Sequence, residues 1–123
     1  MANGVVYVGS WDYNIYALNA RTGALLWKYT TGNQVNSSPA VANGVVYVGS
    51  TDNNIYALNA GTGALLWKYT TGAVQSSPAV ANGVVYVASE DYNVYALNAS
   101  TGALLSGTSH SRHPGAASAR ALP

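Results

Sequence analysis

The stretch Ala2-Asn-Gly-Val-Val-Tyr-Val-Gly-Ser10 decides the fold, because it occurs three times in a chain of 123 residues. It returns unchanged at 42–50, and it returns at 81–89 with one glycine replaced by alanine. Residues 2–32 and 42–72 are identical at 28 of 31 aligned positions. A period of about 40 residues is typical of propellers and solenoids built from one repeated unit. We therefore expect every copy to adopt nearly the same structure.

Each full unit of the repeat is predicted to form four short antiparallel strands. The pair Asn43-Gly44 is a strong hairpin signal, because both residue types tolerate a positive φ. The runs at 45–48 and 55–58 are apolar at every position, whereas a strand with one solvated face would alternate. Strands that are covered on both faces, in four-stranded units of this period, are expected in stacked propeller blades. The predicted fold class is therefore all-β, a partial β-propeller of about three four-stranded antiparallel blades.

The ends of the chain interrupt the pattern. Residues 1–105 are predicted to hold the repeats, with blade units at about 2–32, 36–72 and 75–105. The first unit begins at its second strand and the third loses its tryptophan-bearing strand after Leu105, so two blades should be incomplete and ten strands are expected.

Residues 106–123 change composition sharply, to serine, alanine, glycine, arginine and histidine. This composition predicts a disordered or loosely ordered C-terminal tail. Pairing of 106–110 as a substitute outer strand stays open.

Composition excludes several classes of function. Charged residues are only 7% of the chain and the net charge is +1, which gives no argument for nucleic acid or an anionic membrane. There is no cysteine, so disulfides, thiol catalysis and thiolate metal sites are excluded. The apolar runs are broken by glycine, asparagine and proline, so no membrane span is predicted. Met1 is followed at once by the repeat, so no signal peptide is predicted.

The unit also contains a spaced motif, Ala-x-Asn-x-x-Thr-Gly-x-x-x-Trp, which is complete twice. In the third copy, Ser106 stands where the tryptophan belongs. This motif resembles the PQQ-like repeat of quinoprotein-type β-propellers, over about residues 2–105. The resemblance implies that the motif docks neighbouring blades. The residues with this implied structural role are Ala17, Asn19, Thr22, Gly23, Trp27, Ala57, Asn59, Thr62, Gly63, Trp67, Ala96, Asn98, Thr101 and Gly102.

The same resemblance leaves function open. The family includes quinone-dependent dehydrogenases, an outer-membrane assembly lipoprotein and binding proteins without a cofactor, and a fold does not choose between them. It suggests a bacterial periplasmic or extracellular location, although the location is not predicted from the residues themselves. No Gly-rich phosphate loop and no Ser-His-acid set are present.

Few residues are candidates for chemistry. The repeated aspartates lie in Asp-x-Asn turns, where a carboxylate ordinarily accepts hydrogen bonds from nearby backbone N–H groups. His110 and His113 lie in the tail without a neighbouring acid, and are interpreted as solvated. We predict no catalytic, cofactor-binding or metal-binding residue and no cofactor, and we keep five weak candidates for a binding rim: Asp12, Tyr13, Asp52, Asp91 and Tyr92.

The favoured function is a non-enzymatic propeller module that acts as a scaffold or protein-interaction surface. The alternatives are a fragment of a PQQ-dependent dehydrogenase, and a designed or recently amplified repeat without an evolved ligand. Closed propellers have about four to eight blades, so three blades should leave exposed faces and sheet edges. We therefore expect self-association, simplest as two chains closing a ring of about six blades, and a protein partner is also compatible.

Overall fold

The computed structural model describes residues 4–74, 77–90 and 93–109. In these ranges the chain forms strands and turns only, and no helix there is long and apolar enough to cross a membrane. The strands are β1 (Val5–Gly9), β2 (Asn14–Asn19), β3 (Leu25–Thr30), β4 (Ala40–Ala42), β5 (Val45–Gly49), β6 (Asn54–Asn59), β7 (Leu65–Thr70), β8 (Ala79–Ala81), β9 (Val84–Ala88), β10 (Asn93–Asn98) and β11 (Leu104–Ser109).

The strands form three antiparallel sheets, each a meander in chain order. The first sheet is β1-β2-β3, the second is β4-β5-β6-β7 and the third is β8-β9-β10-β11. The hairpin between β4 and β5 turns at Asn43 (φ 52°) and Gly44 (φ 76°), as the Asn-Gly signal predicted. The all-β class and the antiparallel blade units are confirmed, and we call the three sheets the first, second and third blades.

The expected strand count was wrong for the third blade. Ten strands were predicted, but the described residues form eleven, because β11 completes the third blade. Ser106 pairs with Ala96, and the ladder shifts register between Ala96 and Leu97, as it shifts between Ala17 and Leu18 in the first blade. Main-chain hydrogen bonds make this ladder, so the loss of the tryptophan side chain does not prevent it. The rest of the tail, 110–123, lies outside the described residues.

The apolar core lies between the blades. One cluster joins the first and second blades: Ile15, Val35, Val46, Val48, Tyr56 and Leu58. A second cluster joins the second and third blades: Tyr47, Ile55, Ala57, Trp67, Val74, Val85, Val87 and Leu97. Successive residues of β5 belong to different clusters, because side chains alternate across a strand. This explains why the strands of the second blade are apolar at every position.

The connectors between blades pack closely against glycines. Val35 lies so close to Gly9 that a Cβ added there would be 2.5 Å from its Cγ1. Val74 lies against Gly49 in the same way, at 2.0 Å. The third copy has Ala88 at this position, 5% exposed. In the described part of the chain no connector follows the third blade, so an added methyl group meets no equivalent valine.

Candidate functional site

The Asn-Ala-x-Thr-Gly turn of each blade is held by its own side chains. In the first blade, Asn19 Oδ1 accepts hydrogen bonds from the N–H groups of Arg21 (2.8 Å) and Thr22 (3.1 Å). Thr22 Oγ1 then accepts one from Ala24 N–H at 3.2 Å. Asn59 and Asn98 accept the equivalent pair of bonds at the same distances, 2.8 and 3.1 Å. All three turns therefore have one preformed shape.

The turn of the second blade receives a tryptophan from the first. Trp27 Nε1 donates to the carbonyl of Ala60 at 2.9 Å, and the ring covers Gly63, where an added Cβ would lie 2.6 Å from it. Tyr7 donates its hydroxyl to the same Ala60 carbonyl at 3.1 Å, and its ring centroid is 5.9 Å from that of Trp27. We call the Ala carbonyl and the Gly of each such turn a socket.

The socket of the third blade is filled in the same way. Trp67 Nε1 donates to the Ala99 carbonyl at 2.9 Å and covers Gly102, where an added Cβ would again lie 2.6 Å from the ring. Tyr47 donates to the same carbonyl at 3.1 Å. The structure thus brings each tryptophan of the motif to the Gly of the next blade. The alanines one strand inward pair with the tryptophan position in register: Ala17 with Trp27, Ala57 with Trp67 and Ala96 with Ser106.

The socket of the first blade receives no side chain from the described residues. Gly23 is exposed, and an added Cβ would have no described atom within 4 Å. Its φ of 75° matches those of Gly63 and Gly102, which are 78° and 77°. The first socket therefore has the shape of the filled ones without an occupant from this part of the chain.

Of the predicted rim residues, Asp52 links two blades. Its carboxylate accepts hydrogen bonds from the N–H of Gly32 in the preceding connector (2.9 Å), from the N–H of Asn54 (3.0 Å) and from the hydroxyl of Tyr56. The pKa of Tyr56 is raised well above its ordinary value. Burial is the larger cause, and the hydrogen bond to Asp52 is the second. Burial alone raises the pKa of Tyr47. These tyrosines therefore stay neutral donors.

Asp12 has the same partners within its own blade, Asn14 N–H at 3.2 Å and the hydroxyl of Tyr16. The bond from Tyr16 lowers the pKa of Asp12. The structure does not bring Asp12 and Asp52 into a metal-binding group: within the described ranges no three His, Cys, Asp or Glu residues could hold a metal ion. Asp91 and Tyr92 lie outside those ranges.

Tyr13 lies on an exposed turn next to an aromatic residue that the sequence did not single out. Tyr13 is 45% exposed and Trp11 is 72% exposed. The Tyr13 carbonyl accepts hydrogen bonds from the N–H (2.7 Å) and the hydroxyl (3.0 Å) of Thr31. Its φ is 80°, a left-handed value that a bulky residue rarely adopts. A binding role for this rim stays a prediction.

A groove of about 590 Å³ runs beside β1. Its walls are residues 7–11 on one side and 35–39 on the other. In the second and third blades, β4 and β8 occupy the equivalent position, paired with β5 and β9. Val8, in the wall of this groove, is 40% exposed, whereas its counterpart Val48 is fully buried in the cluster between the first and second blades. Among the described residues the first blade has three strands, as the strand count predicted, but the sequence did not predict the groove.

The comparisons with known proteins agree with this architecture. Over residues 1–121 the sequence matches the family described as outer membrane protein assembly factor BamB. The chain belongs to this family. A search of curated proteins gives no significant match to the sequence.

Solved structures of two functional kinds share the fold. BamB from Moraxella catarrhalis is 26% identical with a TM-score of 0.77, and the match covers 86% of this chain and 33% of that protein. A quinohemoprotein alcohol dehydrogenase from Comamonas testosteroni is 28% identical with a TM-score of 0.76, over 87% of this chain and 20% of the enzyme. A europium-containing methanol dehydrogenase is 24% identical with a TM-score of 0.77, over 89% and 23%. The chain thus spans a third or less of these proteins.

Proposed function

We propose that the chain is a non-enzymatic module of a PQQ-type propeller that serves as a scaffold or protein-interaction surface. The observation that carries this proposal is the use of the repeated polar and aromatic side chains in joining blades. Trp27 and Trp67 fill sockets, and Asp52 binds the preceding connector. In the part of the chain that the structure describes, these contacts employ repeated side chains to join one blade to the next. Membership of the BamB family supports the same function.

A piece of a PQQ-dependent dehydrogenase is the second candidate, because two of the similar structures are dehydrogenases of alcohols. Such chemistry would require carboxylates that can ligate Ca²⁺ beside the quinone. Two of the described carboxylates, those of Asp12 and Asp52, fit this poorly. Asp52 already accepts bonds from Gly32, Asn54 and Tyr56, and Asp12 from Asn14 and Tyr16. We therefore propose no catalytic step for this chain.

Reconstitution with PQQ and Ca²⁺, followed by dye-linked oxidation of a primary alcohol, tests the choice between these functions. We expect no turnover above a protein-free mixture of the same cofactor, metal and dye. Turnover that is lost in Asp12→Asn with Asp52→Asn would contradict the proposal and favour the enzyme. The matched control for this double variant is Glu90→Gln, which removes an exposed carboxylate and leaves Asp12 and Asp52 in place.

A further inference from the structure

An exposed pair of leucines opens the outer strand of every blade. Their side chains are between 41% and 54% exposed, and the pairs are Leu25-Leu26 in β3, Leu65-Leu66 in β7 and Leu104-Leu105 in β11. Single exposed leucines are common on protein surfaces, whereas grouped ones mark interaction sites. Here the same position of the repeat is exposed in all three blades, and we call these six residues the leucine row.

The second blade shows that this exposure does not arise from an uncovered blade face. The first blade packs on one side of the second blade and the third blade packs on the other. Trp67 is only 9% exposed in this position, yet Leu65 and Leu66 in the same strand remain 41% and 49% exposed. Stacking of blades therefore buries the tryptophan of the outer strand and leaves its leucine pair at the surface.

A β-bulge lies at each leucine pair. In the second blade Leu65 pairs with Leu58 and Trp67 pairs with Ala57, so Leu66 has no partner across the ladder. The same register shift occurs in the first and third blades. In a regular strand two successive side chains point to opposite faces of the sheet, whereas a bulge bends the strand and re-aims a side chain. The repeated bulge explains how two successive apolar side chains both reach solvent.

The charged side chains are distributed unequally about the leucine row. Lys28 and Lys68 are exposed two residues beyond the leucine pairs of the first and second blades, and Arg21 is exposed in the turn before β3. The described acids lie in turns at the opposite end of the strands, next to the last residue of each outer strand: Asp12, Asp52 and Glu90. The net charge of +1 conceals this separation.

From the paired leucines and the cations beside them, we infer that the leucine row binds the surface of an anionic lipid bilayer. Leucine side chains enter the boundary between headgroups and acyl chains, as the apolar face of an interfacial element does. The long lysine side chains then reach the anionic headgroups, which attract basic residues close to the surface. The inference goes beyond the proposed function and does not depend on it.

Two other occupants fit the leucine row less well. A second copy that docked its own row here would bring Arg21, Lys28 and Lys68 close to the same three cations, and like charges at a contact oppose association. A protein partner is held in one register by contacts that differ along the interface. The leucine row repeats one apolar pair from blade to blade, which suits a laterally uniform bilayer that requires no register.

Flotation of the full chain with lipid vesicles tests the inference. Vesicles of equimolar phosphatidylcholine and phosphatidylglycerol are compared with vesicles of phosphatidylcholine alone, over a series of lipid concentrations. Four chains are used: wild type, Leu65→Gln with Leu66→Gln, Lys28→Gln with Lys68→Gln, and Trp11→Gln. Trp11 is 72% exposed in the turn between β1 and β2, at the opposite end of the strands. Its substitution is the matched control for the loss of an exposed apolar side chain.

We expect wild type to bind the mixed vesicles at least about tenfold more tightly than phosphatidylcholine alone. The leucine variant should lose about tenfold in affinity for the mixed vesicles, because two apolar side chains no longer enter the bilayer. The lysine variant should lose at least about fivefold, and Trp11→Gln should bind like wild type. Thermal melts check that all four chains are folded.

Three flotation results overturn the inference: wild type does not float, the leucine variant floats like wild type, or Trp11→Gln loses as much affinity as the leucine variant. Sedimentation equilibrium without lipid examines the second copy. If the leucine variant lowered self-association and left flotation unchanged, the occupant would be a second copy and the inference would be wrong. PQQ-dependent turnover would contradict the proposed function and leave the flotation result valid.

Discussion

The first and second blades have almost the same sequence in different surroundings. Residues 2–32 and 42–72 differ at three of 31 positions, yet Tyr47 is 3% exposed and Val48 fully buried, while Tyr7 is half-buried and Val8 is 40% exposed. The second blade has a neighbour on each side and an inner strand. The first blade has one described neighbour and no described inner strand. In this chain, burial is a property of the interface more than of the unit.

The difference in burial between the two blades indicates which contacts stabilise the fold. In arrays of repeated units, stability is approximately a sum of unit terms and nearest-neighbour interface terms. Here the fully buried valine, isoleucine and leucine side chains belong to the two clusters between blades. A substitution at an interface should therefore have a much larger effect than the same substitution at an open face, and each prediction below compares two equivalent positions.

The largest effect is expected from Trp67→Ala. Trp67 is 9% exposed and donates to the Ala99 carbonyl, so its removal should lower the free energy of unfolding by about 3–5 kcal/mol. Trp27→Ala removes the same bond from a less buried ring, so its loss should be smaller. Urea unfolding followed by circular dichroism measures both. Midpoints like that of wild type would refute the predicted docking role of the motif.

A smaller effect is expected from Gly49→Ala. The added methyl group would lie 2.0 Å from Val74 Cγ1, and overpacking of this kind costs about 1–3 kcal/mol. The third blade provides the control, because Ala88 already has that methyl group. Ala88→Gly should cost only about 0.5–1 kcal/mol, the ordinary effect of glycine in a strand. Thermal unfolding measures both variants. If Gly49→Ala and Ala88→Gly lowered the free energy of unfolding equally, the contact with Val74 would not explain why glycine occupies position 49.

Local signals in the sequence predicted most of the fold. The Asn43-Gly44 pair specified a hairpin by its backbone preference, and the unbroken apolar runs indicated strands covered on both faces. The partner of each tryptophan was out of reach, because Ala60 and Gly63 lie more than thirty residues beyond Trp27 and only the stacking of blades brings them together.

The third blade shows where side-chain reasoning fails. The change of sequence after Leu105 predicts the loss of the tryptophan-bearing strand, with pairing of 106–110 as the alternative. The ladder with Ala96 formed nevertheless, because antiparallel pairing depends on main-chain groups that serine also has. The substitution removed the means of binding a further blade and kept the strand itself. The blade count predicted exposed faces, but the groups that such a face presents became clear only from the filled sockets of the second and third blades.

The smallest effect is expected from exchanging the turn residue at which the first and second blades differ. Tyr13 and Asn53 occupy the same turn with φ values of 80° and 78°. Asparagine tolerates this conformation, whereas a bulky residue is strained by about 1–2 kcal/mol. Because Tyr13 is 45% exposed, its ring contributes little packing to offset the strain. Tyr13→Asn should therefore raise the free energy of unfolding by up to about 1 kcal/mol, and Asn53→Tyr should lower it. If Tyr13→Asn destabilised the chain instead, the ring would be making a contact on the rim that outweighs the strain, and the aromatic turn would become the better candidate for a binding surface.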